Sequence, residues 1–242
     1  MKKGSDAPSY QFLPFALHID GGFGAIGEAF YGAAQELAST GSELRFANAS
    51  LPRAYLLRHA AELFLKSSVI TLHRGLGVPF GERRHAVLAI RIGESWVPMR
   101  RVHSLTPLYA HFHWLLKMHC AALARRTSTD WRTLPSSLAD QIAQIDDFDK
   151  RSTFLRYPTG RDRQKSDYRR TSVGEIREIA RHASTEAGTA KVFVGGGEHA
   201  DLARVYCRDT SGLQGLLSTL ESACDTLSIL HFALRCELGG GH

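Results

Sequence analysis

Nowhere in this chain do apolar residues run for the ~20 positions that a membrane-spanning helix needs. Met1–Gln11 carries two lysines with no apolar segment behind it, which is not the pattern of a secretory signal. The four cysteines, Cys120, Cys207, Cys224 and Cys236, form no CxxC pair, and the 12 histidines show no HxxxH or HExxH spacing. The usual zinc patterns are therefore missing, and the expectation is no metal and no cofactor. Isolated cysteines in apolar surroundings read as buried thiols in a reducing compartment, so the expected location is cytoplasmic. Alternation of strands and helices is absent, as are internal repeats and any obvious linker. These absences leave one mainly α-helical domain spanning residues 1–242.

Acidic residues are also short. Against 30 Lys and Arg stand 24 Asp and Glu, a net charge of +6, so an anionic partner is expected, RNA above all. The apolar share of 43% supports a substantial core.

What is present centres on one segment, Leu51 to His73. At 100° per residue, Tyr55, Arg58, His59, Glu62, Lys66 and His73 fall within roughly a quarter of a helix circumference. Leu56, Leu57, Leu63, Phe64, Leu65, Ile70 and Leu72 fill most of the rest. A surface helix has the opposite proportions, so this one is expected to be central. Its strip offers Arg58–Glu62 and Glu62–Lys66 pairs at i,i+4 spacing, beside imidazoles suited to acid–base work.

Around it the pattern predicts a helix over about 23–39 with Asp20 as its cap, and a long helix from Thr106 to Arg126. A further helix starts at Ser136 or Ser137, and a last one covers about 211–237 and stops at Gly239. Residues 1–47 form an N-terminal extension and helix, and Gly239–His242 reads as a flexible end. Two β-hairpin insertions are expected at 82–102 and 190–207. Leu57, Phe64, Leu105, Leu108, Leu115, Leu216 and Leu220 lie on the apolar faces of their helices and should share one core.

Other constellations are weaker. Gly22, Gly24 and Gly27 spell GxGxxG, but the buried strand and βαβ unit that a dinucleotide site requires are missing. Close packing of helices is their expected role. His111, His113 and His119 read as surface or hydrogen-bonded core histidines. Asp146, Asp147 and Asp149 end a helix, where carboxylates are poorly placed against the dipole, which points to a cationic tertiary partner. Residues 150–170 are read as a basic loop. It carries Arg156, Arg161, Arg163, Lys165, Arg169 and Arg170 with Tyr157 and Tyr168 interleaved, a composition suited to phosphate contacts and base stacking.

Three elements together resemble the HEPN-like helical proteins of bacteria. In one branch a helix reads Y-x-x-RH-x-x-EL-x-LK, an HSL or HDL element opens the next long helix, and an FRYP-like segment follows an acidic helix. Here these are Tyr55–Lys66, His103-Ser104-Leu105, and Phe154-Leu155-Arg156-Tyr157-Pro158, the last with one residue inserted. The resemblance covers roughly residues 50–160 and the final helix. It implies a helical bundle, a homodimer, and a toxin or phage-defence setting with an antitoxin or defence-system protein as partner. Many such proteins are metal-independent ribonucleases that use an Arg followed four to six residues later by His. Arg53 with His59, and Arg177 with His182, have that spacing. On this reading Arg58, His59, Glu62, His103 and Arg156 surround a scissile phosphate. Lys66, Tyr157, Arg161, Arg163, Lys165, Arg169 and Arg170 hold the RNA. The alternative is a non-catalytic binding or regulatory module recognising a protein partner or a nucleotide, in which the same strip is a buried lock engaging Arg156.

Overall fold

A computed structural model describes residues 10, 13–39, 50–81, 88–149, 169–171, 192–195, 204–207 and 211–241. Among these the fold is mainly helical. The helices are α1 (Phe23–Ser39), α2 (Ser50–Leu76), α3 (Leu105–Met118), α4 (Cys120–Arg126), α5 (Ser136–Asp149) and α6 (Ser211–Gly239). Helix α2 is the axis of the bundle and touches α1, α3 and α6, while α5 closes against α3 and α6. Every residue of α2 from Ala60 to His73 is buried, as its broad apolar circumference requires.

Leu57, Phe64, Leu105, Leu108, Leu115, Leu216 and Leu220 lie in one continuous core. Phe64 is wholly enclosed, edge-on to Tyr31 and stacked near His231, with ring centroids 6.2 and 5.6 Å away. The glycines of α1 make this approach possible. A Cβ on Gly24 would stand 2.2 Å from the His231 ring, and one on Gly27 would stand 3.1 Å from Phe64. The GxGxxG string is thus a contact surface for neighbouring helices.

Asp20 serves as the cap expected of it. Its carboxylate accepts the backbone N–H groups of Gly22 and Gly24 at 2.9 and 2.6 Å, satisfying donors that a helix start leaves open. It also accepts from Ser67 of α2 at 2.5 Å and from Tyr10 at 3.2 Å, and Ser67 Oγ lies 2.9 Å from His231 Nδ1 of α6. Burial alone would raise the Asp20 carboxyl. The bonds from Ser67, Gly24 and Gly22, with His231 nearby, outweigh it and hold the group below its ordinary value.

The first insertion is a two-stranded antiparallel hairpin, β1 (Ala89–Ile92) and β2 (Ser95–Pro98), turning at Gly93, which adopts φ 59°. In the second, β4 (Val192–Gly195) and β5 (Arg204–Cys207) pair antiparallel, and β3 (Arg169–Thr171) adds to the other edge of β5. The tail of the basic segment, read from sequence as loop, is therefore a strand.

Three further expectations are corrected. The helix predicted across 106–126 breaks at His119, whose ψ of 18° leaves the helical range. Its carbonyl then accepts from Ala122 and Leu123 to restart the helix as α4. Gly240 and Gly241, expected to be flexible, turn back with positive φ, and Gly241 exchanges bonds with Arg235 at 3.1 and 2.7 Å. Cys224 is buried, but Cys120 and Cys236 are exposed.

Because Phe64 fills the junction of α1, α2 and α6, truncating it leaves a cavity that its enclosed neighbours cannot collapse. Phe64→Ala should lower the unfolding free energy by about 3–5 kcal/mol in denaturant titration. A loss under about 1 kcal/mol would contradict a central α2.

Candidate functional site

The polar strip of α2 does not act as one unit. The bundle divides it among three neighbours. On the side facing the start of α3, Glu62 is the hub. Its Oε1 accepts from Lys66 Nζ at 2.7 Å and from His103 Nδ1 at 3.0 Å, and its Oε2 lies 3.5 Å from the Arg58 guanidinium. Arg58 also donates to the backbone carbonyl of His103 and stands 3.7 Å from Asp146 Oδ1. Arg58, Glu62, Lys66 and Asp146 are all buried.

Asp146 of α5 explains the corner. Its carboxylate accepts the N–H groups of Leu105 and Thr106 at 2.8 and 2.7 Å, as well as the Ser104 hydroxyl. Ser104 occupies the N-cap position of α3 without a side-chain cap bond of its own. A carboxylate from another helix thus caps α3, with the positive end of the dipole and Arg58 as its cationic partners. That is the tertiary partner the acidic C-terminus of α5 called for.

Burial would raise the Glu62 carboxyl. The charge and hydrogen bond of Lys66, the charge of Arg58 and the His103 bond reverse this and keep it below its ordinary value. Glu62 is therefore an anion and can only accept. The proton of the neutral His103 ring must then sit on Nδ1, leaving Nε2 with a free lone pair. Unlike its partners, the His103 side chain is 44% exposed. A buried carboxylate thus orients a surface imidazole, the arrangement that general-base chemistry uses.

His59 is turned elsewhere. Its ring meets Phe30 of α1 edge-on at 4.6 Å and stacks toward Tyr55 at 6.1 Å. It belongs to the α1 side of α2, so the expected grouping of His59 with His103 is corrected. Arg58 is brought to the site but is fully enclosed, which makes it a positioning residue; a scissile phosphate would not reach it. Lys66 is likewise buried against Glu62 and is not a surface RNA contact. Arg53, one of the spaced Arg–His candidates, pairs with Glu221 of α6.

Arg156, Tyr157, Arg161, Arg163, Lys165, Arg177 and His182 lie outside the described residues, and with them the proposed contact of Arg156. Within the description, Glu62 already has three cationic or N–H partners. Arg169 and Arg170 stand on β3, opposite Cys207 and Tyr206 of β5.

Sequence reasoning missed the third destination of the strip. His73 Nε2 lies 3.1 Å from His111 Nε2 of α3. The Arg91 N–H of β1 donates to His111 Nδ1 at 3.3 Å, so His111 carries its proton on Nε2 and gives it to His73. His73 in turn donates from Nδ1 to the Val78 carbonyl at 3.2 Å. Phe80 stacks on His73 at 4.2 Å, and Trp114 stacks on His111 at 5.4 Å. This relay ties the β1–β2 hairpin to the bundle and works only with both rings neutral. Burial lowers His73, and burial with His73 and Arg91 holds His111 down at about 4.

No family model matches the chain, and no curated protein or solved structure is similar enough to it to count as a match. Among the described residues no three His, Cys, Asp or Glu side chains converge as a metal site. No described helix is long and apolar enough to cross a membrane.

Two outcomes follow from this geometry. Arg58→Ala strips Glu62 and Asp146 of a buried cation and should destabilise the fold by about 3–5 kcal/mol. His59→Ala, by contrast, should shift the melting temperature without uncoupling Glu62 from His103. Equal, small effects of the two would contradict the assignment. The histidine relay sets a pH dependence. The unfolded chain takes up protons below pH 6.5, whereas native His111 resists until about 4. Stability is therefore full above pH 6.5 and falls between there and pH 4, by on the order of 3 kcal/mol for His111 alone. Denaturant midpoints that stay flat over that window would refute a neutral pair.

Proposed function

We propose that this protein is an RNA-acting, HEPN-like helical protein and that it cuts RNA from His103. The observation that carries the reading is the pairing of an exposed imidazole with a buried, ionised Glu62 through Nδ1. That leaves Nε2, on a side chain 44% exposed, as the proton acceptor. In the proposed step, Nε2 removes the proton of a ribose 2′-hydroxyl, and the 2′-oxygen attacks the adjacent phosphorus. The bond to the 5′-oxygen breaks, and that oxygen takes a proton from water. The products are a 2′,3′-cyclic phosphate and a 5′-hydroxyl end. The nucleophile is the substrate's own hydroxyl, so metal activation of water is not required. Glu62 contributes by fixing the tautomer and stabilising the imidazolium as it forms. Arg58, through the His103 carbonyl and Asp146, keeps the corner rigid.

The toxin or phage-defence setting and the homodimer come with the resemblance and belong to the same proposal. A second reading has one specific support. Arg58 is wholly enclosed, as the core of a lock would be, and this favours a non-catalytic module that binds a protein partner or a nucleotide.

The two readings separate on His103. His103→Gln should reduce cleavage of total RNA in EDTA by at least about 100-fold while leaving the melting temperature within a degree or two, because the side chain is half in solvent. End-group analysis of the wild-type products should find cyclic phosphate. Undiminished cutting by His103→Gln would remove His103 from the mechanism. A wild-type protein that leaves RNA intact would favour the binding module.

A further inference from the structure

The lock itself is electrically closed. Arg58 and Lys66 are balanced by Glu62 and Asp146. The attraction that draws a polyanion to this corner must therefore come from outside the buried network. The structure supplies it immediately upstream. Between β2 and His103 the chain makes a single 3-10 turn, Met99–Arg101. Met99 is buried, and its N–H donates to the Leu88 carbonyl at 2.8 Å. Val102 is buried and closes the turn on the Met99 carbonyl at 3.1 Å. Arg100 and Arg101 stand exposed between these two anchors, and no carboxylate pairs with either among the described residues.

The hairpin before the turn is itself fixed to α3 by the Arg91 to His111 bond. The turn is thus held at both ends, and two guanidinium groups with no carboxylate partner among the described residues sit two and three positions before the exposed imidazole. From the other side α5 ends at Asp149, one helical turn past Asp146, which caps α3 at this same corner.

We infer that Arg100 and Arg101 form the phosphate-docking edge of the His103 site, taking successive phosphates of single-stranded RNA. This gives the β1–β2 insertion a purpose: it carries a rigid dicationic turn to the mouth of the site. Exposed arginines on a fixed backbone suit phosphate oxygens, because the planar guanidinium offers paired donors and loses less freedom per hydrogen bond than an ammonium does. The inference rests on the RNA reading given above.

The test is equilibrium binding of fluorescein-labelled single-stranded RNA to the full chain across a salt series. The variants are Arg100→Gln with Arg101→Gln, the same pair changed to Glu, and Arg125→Glu as a control. Arg125 is exposed on α4, beyond the far end of α3. That end lies about 20 Å from His103 at 1.5 Å per residue. The double Gln variant should bind at least tenfold more weakly, and its log–log salt slope should be shallower by about 1.4, the release from two phosphates. The Glu pair should bind more weakly still, Arg125→Glu should bind as the wild type does, and all should melt alike. Unchanged binding by both double variants, or an equal loss in Arg125→Glu, would overturn the docking edge while leaving the RNA reading intact. A wild-type chain that binds no RNA would overturn both.

Discussion

Glu62 sets the terms for this fold. A carboxylate in the middle of a fully enclosed helix must be neutralised or compensated, since an uncompensated buried charge costs several kcal/mol. The molecule compensates it with groups from separate stretches of chain. Lys66 and Arg58 come from the turns on either side, and His103 comes from the segment that opens α3. Recruiting His103 fixes the approach of α3 to α2. Recruiting Arg58 brings in Asp146 and with it α5. One buried charge thus determines how three helices meet, and it leaves a single ring, His103, on the surface.

Asp20 repeats the solution on another side of α2. It is enclosed, capped onto the first turn of α1, and bonded to Ser67 of α2, which reaches His231 of α6. Tyr10 closes over it beneath the Arg235 guanidinium, 3.9 Å from the ring. In both places a carboxylate acts as helix cap and inter-helix tie together, so that orphan N–H groups and a buried charge satisfy each other. The Asp20 cluster is wholly interior, whereas the Glu62 cluster opens to solvent through His103. That difference is the physical basis for assigning chemistry to one and structure to the other.

Much of the fold could be read from the chain, because the strongest signals were local. The apolar circumference of 51–73 announced a central helix, and Asp20 announced the cap of α1. The Gly-containing turn at 93 announced a hairpin. Other features depended on partners distant in sequence. His73 and His111 are 38 residues apart, and nothing in either helix pattern pairs them. Ser67 lies outside the polar strip, on the apolar circumference of α2, yet it bonds across the core. The strip itself was legible as a stripe, but a helical wheel cannot say which neighbour covers which edge. His59 and Arg58 are adjacent in sequence and 100° apart on the helix, and that angle sent one to α1 and the other to α3. Arg100 and Arg101 carried no signal of their own beyond charge; their value comes from the buried Met99 and Val102 that flank them.

The central claim is that ionised Glu62 holds the neutral form of the His103 ring with its proton on Nδ1 and Nε2 bare. Long-range proton–nitrogen correlation spectra of the labelled full chain read this directly, because protonated and bare ring nitrogens resonate in separate regions. The account predicts that His103 shows a protonated Nδ1 and a bare Nε2 at neutral to alkaline pH, and that Glu62→Gln removes this bias. A wild-type His103 that carries its proton on Nε2, or whose tautomer is indifferent to Glu62, would contradict it.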